Sequence, residues 1–176
     1  MPNSARQTRK AARQDGTALA IQEAPSLGRR RGPVVTCKLE GTAVERELQK
    51  LGVGVAKPSQ VHRNRVSVLT PTTAARAAFH AQLWQCFSAQ TWPNKELVVV
   101  ETYDSTVEQP SSFFQDLKDD RLVHVALAHD LNVGLKRNIS VLMASGEYCV
   151  NFDDDDFYAD GYVERMVGEL QLIQGD

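Results

Sequence analysis

Four consecutive apolar residues, Leu97-Val98-Val99-Val100, bounded by Glu96 and Glu101, narrow the folds open to this chain more than any other segment. The run has strand length and β-branched character, and it offers no polar face. Such a strand is buried on both sides, as the inner strands of a parallel sheet are. Parallel strands need crossovers long enough to hold a helix. With 176 residues, 42% of them hydrophobic, there is material for one such domain and little more.

The neighbouring segments supply the crossovers. Val66-Ser67-Val68-Leu69-Thr70 is a short β-rich run that Pro71 ends. Residues 73–90 have helical spacing, with Phe79, Leu83, Cys86 and Phe87 on one face. After the second strand and a polar loop, a short helix is expected over 112–118 and a third strand over 121–127. Residues 132–145 form a helix with Leu135, Ile139, Leu142 and Met143 inward. Residues 147–152 form a fourth strand, and residues 160–173 a last helix with Val163, Met166, Val167 and Leu170 inward. The alternation predicts an α/β fold: a mainly parallel sheet with helices on both faces.

Ahead of this lies a short helix over 42–51, carrying Val44, Leu48 and Leu51, to which the sequence assigns no role. Residues 34–64 are read as a linker that includes it. Residues 1–33 hold seven Lys/Arg against Asp15 and Glu23 and few large apolar residues, so a disordered basic tail is expected. The domain proper is expected over 65–176. Cys37, Cys86 and Cys149 have no metal or redox spacing, and the latter two read as small core residues.

Asp153 to Asp156 follow the fourth strand directly. Adjacent carboxylates repel, and a hard divalent cation relieves them. In open α/β sheets ligands bind beyond the C-terminal strand ends. Thr70-Pro71-Thr72-Thr73, Glu101 to Ser105 and the aspartates share that edge, so one pocket is expected from the three segments. A solvated charge run or a helix cap is the plain alternative.

The ordered set resembles the nucleotide-binding half of family 2 glycosyltransferases of the GT-A fold. It comprises the Val66 to Thr72 strand, the Gln90-Thr91-Trp92-Pro93 turn and the Glu96 to Glu101 strand. It goes on with Gly134-Leu135-Lys136-Arg137-Asn138, then Ala144, Gly146, Glu147 and Tyr148, then Asp153, Asp155 and Asp156. The resemblance covers 65–173. It implies a Rossmann-like fold and a nucleotide-sugar donor, a UDP-sugar, held through Mn²⁺ or Mg²⁺. The sugar would pass with inversion to an acceptor that is glycan, protein or lipid.

Residue by residue, it implies metal ligation by Asp155, with Asp153 on the ribose or a metal-bound water. Asp154 is the variable position of the motif and is counted with the donor contacts. Asp156 supports the metal or caps the next helix. Glu101 stands where the family has a base-reading aspartate, and Asp104 is the other candidate. Arg137 bridges base or diphosphate, Asn138 fixes loops, and Lys136 is either a site residue or a surface charge. Thr70, Pro71 and Thr72 cover the nucleotide, and Arg76 reaches a phosphate. His62, His80, His124 and His129 find no partner in the sequence, and His124 reads as a packed residue.

The family's acceptor site and general base lie beyond the position of Asp176. Glu164 and Glu169 are expected on an outer helix face. The domain is therefore expected to be incomplete, and a donor-binding piece without transfer activity is the alternative. A third reading is an unrelated α/β domain holding Mg²⁺ for phosphate chemistry. The absence of a Gly-rich phosphate loop counts against nucleotide hydrolases and dinucleotide enzymes. No nucleic-acid partner is expected, and no apolar run is long enough to span a membrane. A cytoplasmic location is the default, and the Arg-rich start leaves organelle targeting open.

Overall fold

The computed structural model describes residues 43–52, 54 and 58–174, so the expected basic tail lies outside the described residues. In chain order the elements are α1 (Ala43–Lys50), β1 (His62–Thr73), a 3₁₀ turn (Ala74–Phe79) and α2 (His80–Ala89). Next come β2 (Lys95–Thr102), α3 (Ser112–Asp116), β3 (Leu122–Leu127), α4 (Val133–Met143), β4 (Gly146–Asn151) and α5 (Tyr162–Gln174). The strands form one sheet in the order β3-β2-β1-β4, and every pair is parallel.

All eight residues of β2 are buried, as its apolar run requires. On one face Val66, Val68, Leu97, Val99 and Val150 pack under Leu83, Cys86 and Phe87 of α2, Phe114 of α3, and Val163 and Val167 of α5. On the other, Leu69, Val98 and Val100 meet Ile139, Leu142 and Met143 of α4. Val44 and Leu48 of α1 complete that second core, which gives this helix its place in the fold. Burying each such side chain contributes about 1.5–3 kcal/mol before conformational entropy is set against it.

Three sequence expectations change in the structure. β1 does not stop at Pro71 but pairs with β2 as far as Thr73 opposite Thr102. The Phe152 amide donates to the Leu69 carbonyl at 3.0 Å, so Leu69, and by alternation Pro71, turn toward β4. β4 ends opposite Leu69, so the proline's missing N–H leaves no gap in a ladder. The helix expected over 73–90 starts as the 3₁₀ turn, broken at Arg76 (φ −99°, ψ 15°), and Phe79, expected on the buried face, is exposed. Cys149 and Leu170 are exposed and not core.

Gly146 opens β4 against the central strand. A β-carbon there would stand 2.7 Å from the Arg65 carbonyl oxygen, the Ser67 nitrogen and the Ser67 hydroxyl. Two of these are backbone atoms of β1 and cannot yield. Gly146→Ala is expected to cost about 1–3 kcal/mol, read as a lowered urea midpoint with unchanged slope.

Candidate functional site

The acidic run folds onto the end of β1. Asp154 is buried, and its Oδ2 accepts the Thr72 hydroxyl at 2.5 Å. Arg76, from the 3₁₀ turn, closes on the same carboxylate. Its Nε lies 3.0 and 2.9 Å from the two oxygens, and its Nη2 lies 2.8 Å from Oδ1. That fork geometry is the strong form of a guanidinium–carboxylate contact. The Arg76 Nη2 also lies 2.8 Å from Asp155 Oδ2. Hydrogen bonds to Asp154 and then Asp155 hold the Arg76 guanidinium more firmly protonated than usual. In return Arg76 holds the Asp155 carboxyl below its ordinary value.

Asp153 takes a different cation: Arg137 Nη2 donates to its Oδ1 at 3.0 Å. The Asp153 amide donates to the Tyr158 hydroxyl at 2.7 Å, and the Tyr158 ring stacks on Phe152 at 3.7 Å. Burial pushes the Tyr158 phenol up, which keeps it a neutral partner for that amide. The loop is therefore pinned at both ends. Asp153 and Asp155 keep side chains 48% and 49% exposed, on either side of the buried Asp154.

Lys136 is no surface charge. Its Nζ donates to the Thr72 carbonyl at 2.8 Å and the Thr102 hydroxyl at 3.2 Å, tying α4 to the ends of β1 and β2. Burial pushes its ammonium down. The structure thus gathers Thr72, Arg76, Lys136, Arg137, Asp153, Asp154 and Asp155.

The remaining candidates stand differently. Glu101 is fully buried, with Oε1 accepting from the Ser111 amide at 2.8 Å and Oε2 lying 2.7 Å from His124 Nε2. Both oxygens face these partners, so His124 has a carboxylate partner that the sequence did not reveal. Asp104 closes its own turn by accepting from the Thr106 amide and hydroxyl. Asp156 is exposed, and its amide lies 3.4 Å from the Asp153 carbonyl. Thr70 is fully buried with its hydroxyl unpartnered, Pro71 lies within β1, and Asn138 is half-buried on α4.

His80 is the residue that sequence reasoning missed. It is fully buried at the start of α2, with Nε2 3.0 Å from the Thr72 hydroxyl. Its ring lies 4.5 Å from Phe114, which in turn lies 5.1 Å from His124. Burial pushes the His80 imidazole below the usual histidine value. The unfolded chain then takes up this proton first as pH falls. Stability from this residue is full above about pH 6.5 and is lost on descending toward the lower folded value. The melting temperature is expected to fall between about pH 7 and about pH 5.5, with a shallower slope in His80→Leu.

In open parallel sheets ligands bind beyond the C-terminal strand ends, and the charged loops of this sheet lie at that edge. Residues 67–173 match the sequence profile of glycosyl transferase family 2, and the chain belongs to that family. It is also 32% identical over 86 residues to an Escherichia coli (strain K12) protein that carries the name colanic acid biosynthesis glycosyl transferase WcaA. The similarity covers 48% of this chain and 30% of that relative.

Among the described residues no three of His, Cys, Asp and Glu stand close enough to hold an ion unaided. Mg²⁺ commonly takes one or two carboxylates and completes its shell with water and substrate phosphates. Asp153 and Asp155 fit a cation in that sense, and the buried, fully engaged Asp154 does not. Among the described residues no helix is long and apolar enough to cross a membrane.

Proposed function

We propose that this domain holds a nucleotide-sugar donor, a UDP-sugar, at the C-terminal edge of its sheet. In this reading the donor's sugar passes with inversion to a glycan, protein or lipid acceptor. The observation that carries it is the half-exposed pair Asp153 and Asp155, each bonded to a guanidinium and separated by a buried anchor. Mn²⁺ or Mg²⁺, when bound there, would supply positive charge to the leaving diphosphate. Family membership supports the donor class.

The chain's own residues do the positioning. Lys136 fixes the strand ends that floor the site. Arg137, still 36% exposed, is placed to exchange Asp153 for a donor oxyanion. Arg76 keeps the acidic loop closed on β1. Asp104 at the end of β2 is exposed and stays a candidate for the base.

A second reading is a donor-binding piece without transfer activity of its own. Glu164 and Glu169 favour it. Both are exposed on α5 and engaged there, the first accepting from Thr91 at 2.7 Å and the second facing Arg165 at 3.9 Å.

Calorimetric titration of the full chain with UDP, with and without Mn²⁺, tests the first reading. Binding that requires the metal and exceeds that of inorganic phosphate is the expected result. Equal affinity for UDP and inorganic phosphate would overturn it. Sugar release from UDP-sugars then separates transfer from binding alone.

A further inference from the structure

We propose that His80 is a positioning residue of this site: its Nε2–H, acting through the Thr72 hydroxyl, fixes Asp154 and so sets where the flanking Asp153 and Asp155 carboxylates face. The inference rests on the reading above, in which those two carboxylates face the donor.

Counting protons assigns the role. Asp154 is ion-paired with Arg76 and acts as an acceptor, so the single Thr72 hydroxyl proton goes to its Oδ2, 2.5 Å away. Thr72 Oγ1 can then only accept from His80 Nε2, 3.0 Å away, and that nitrogen must carry the ring proton. The other ring nitrogen, Nδ1, is buried and has no hydrogen-bond partner. A second proton there would be a donor with nothing to receive it, and burial already disfavours the charged ring.

The orphaned Nδ1 also argues against a packing role. A leucine would fill the space beside Phe114 and leave no buried nitrogen unpaired. What the imidazole offers that leucine lacks is a rigid N–H aimed at Thr72. Removing it frees the hydroxyl to rotate, and Asp154 loses one of the two groups that hold it down. Asp153 and Asp155 are its chain neighbours, so their directions loosen with it.

Amide hydrogen exchange on the full chain tests this without a ligand. Amides of residues 153–158 should exchange roughly tenfold faster in His80→Leu and Thr72→Val, with β2 amides unchanged. In His80→Gln, whose amide nitrogen can take the place of Nε2, they should stay within about threefold of the parent. Loop rates unchanged in His80→Leu, or rates in His80→Gln as fast as in His80→Leu, would overturn the assignment. If His80→Leu fails to fold, Thr72→Val, which lacks the hydroxyl on Asp154 altogether, takes its place as the reference: loop rates in His80→Gln as fast as in Thr72→Val, or rates unchanged in Thr72→Val, would overturn the assignment. Titration with Mn²⁺ and UDP adds a second readout, an affinity loss of about tenfold or more in His80→Leu that His80→Gln restores. Should the parent chain fail to take up Mn²⁺ and UDP, the donor reading falls, while the exchange rates still judge His80.

Discussion

Glu96→Ala is expected to remove about 3–5 kcal/mol of folding free energy, the loss that follows when one partner of a buried charged network is deleted. Glu96 lies at the N-terminal end of the sheet, opposite the site, and is buried. Its Oε1 accepts from the Ser67 hydroxyl at 2.5 Å and the Ser145 amide at 2.6 Å. Its Oε2 accepts from the Ser145 hydroxyl at 2.7 Å and Arg65 Nη1 at 3.3 Å. Each hydroxyl that donates to Glu96 also accepts, Ser67 from the Gly146 amide and Ser145 from Arg65. The carboxylate therefore joins β1, β2 and the start of β4 in one closed set. Alanine leaves a buried amide and two hydroxyls without their acceptor, at about 1–3 kcal/mol each where no water enters.

A domain of this kind has about 5–15 kcal/mol to lose, so urea unfolding should begin at much lower concentration. Glu96→Gln should recover part of the loss, since one amide oxygen still accepts and the hydroxyls can rotate. A Glu96→Ala midpoint within error of the parent would show that the network contributes nothing net.

That network was invisible in the sequence for a physical reason. Helix and strand patterns report neighbours two, three or four residues apart. Glu96 and Ser145 are 49 residues apart, and Arg76 and Asp154 are 78 apart. The sheet was legible because each apolar run had only one way to be buried. The crowding of Asp153 to Asp156 was legible as well, because four adjacent carboxylates need compensation wherever they sit. Which cations compensate them was not legible, because Arg76 and Arg137 reach them from different elements. Glu101 shows the same limit. Its place at a strand end pointed to a ligand, whereas its partners, His124 and Ser111, become neighbours only when β3 and α3 pack beside β2. His80 read as a stray histidine because its partner Thr72 lies across a turn whose 3₁₀ geometry the periodicity did not show.

Substitutions at the neighbouring aspartates should act on different quantities. Asp155→Asn keeps the shape of the loop and removes a charge from a side chain half in water. Unfolding should be nearly unchanged, because exposed ion pairs contribute little. Metal-dependent UDP binding should fall by on the order of a hundredfold, the size of loss that follows damage at or next to a metal ligand. Asp154→Ala should act first on stability. It leaves the Arg76 fork and the Thr72 hydroxyl facing a void, and the expected cost is about 2–3 kcal/mol. A fully buried pair would cost more, but the Arg76 side chain is 38% exposed and water can replace part of the contact. UDP binding should weaken with it, because the loop that aims Asp153 and Asp155 has lost its anchor. Asp156→Asn, at the exposed end of the run, should change neither quantity measurably. Calorimetry and urea unfolding on the three variants separate the roles. Equal loss of UDP affinity in Asp155→Asn and Asp156→Asn would mean that the run acts as diffuse charge and not as a shaped site.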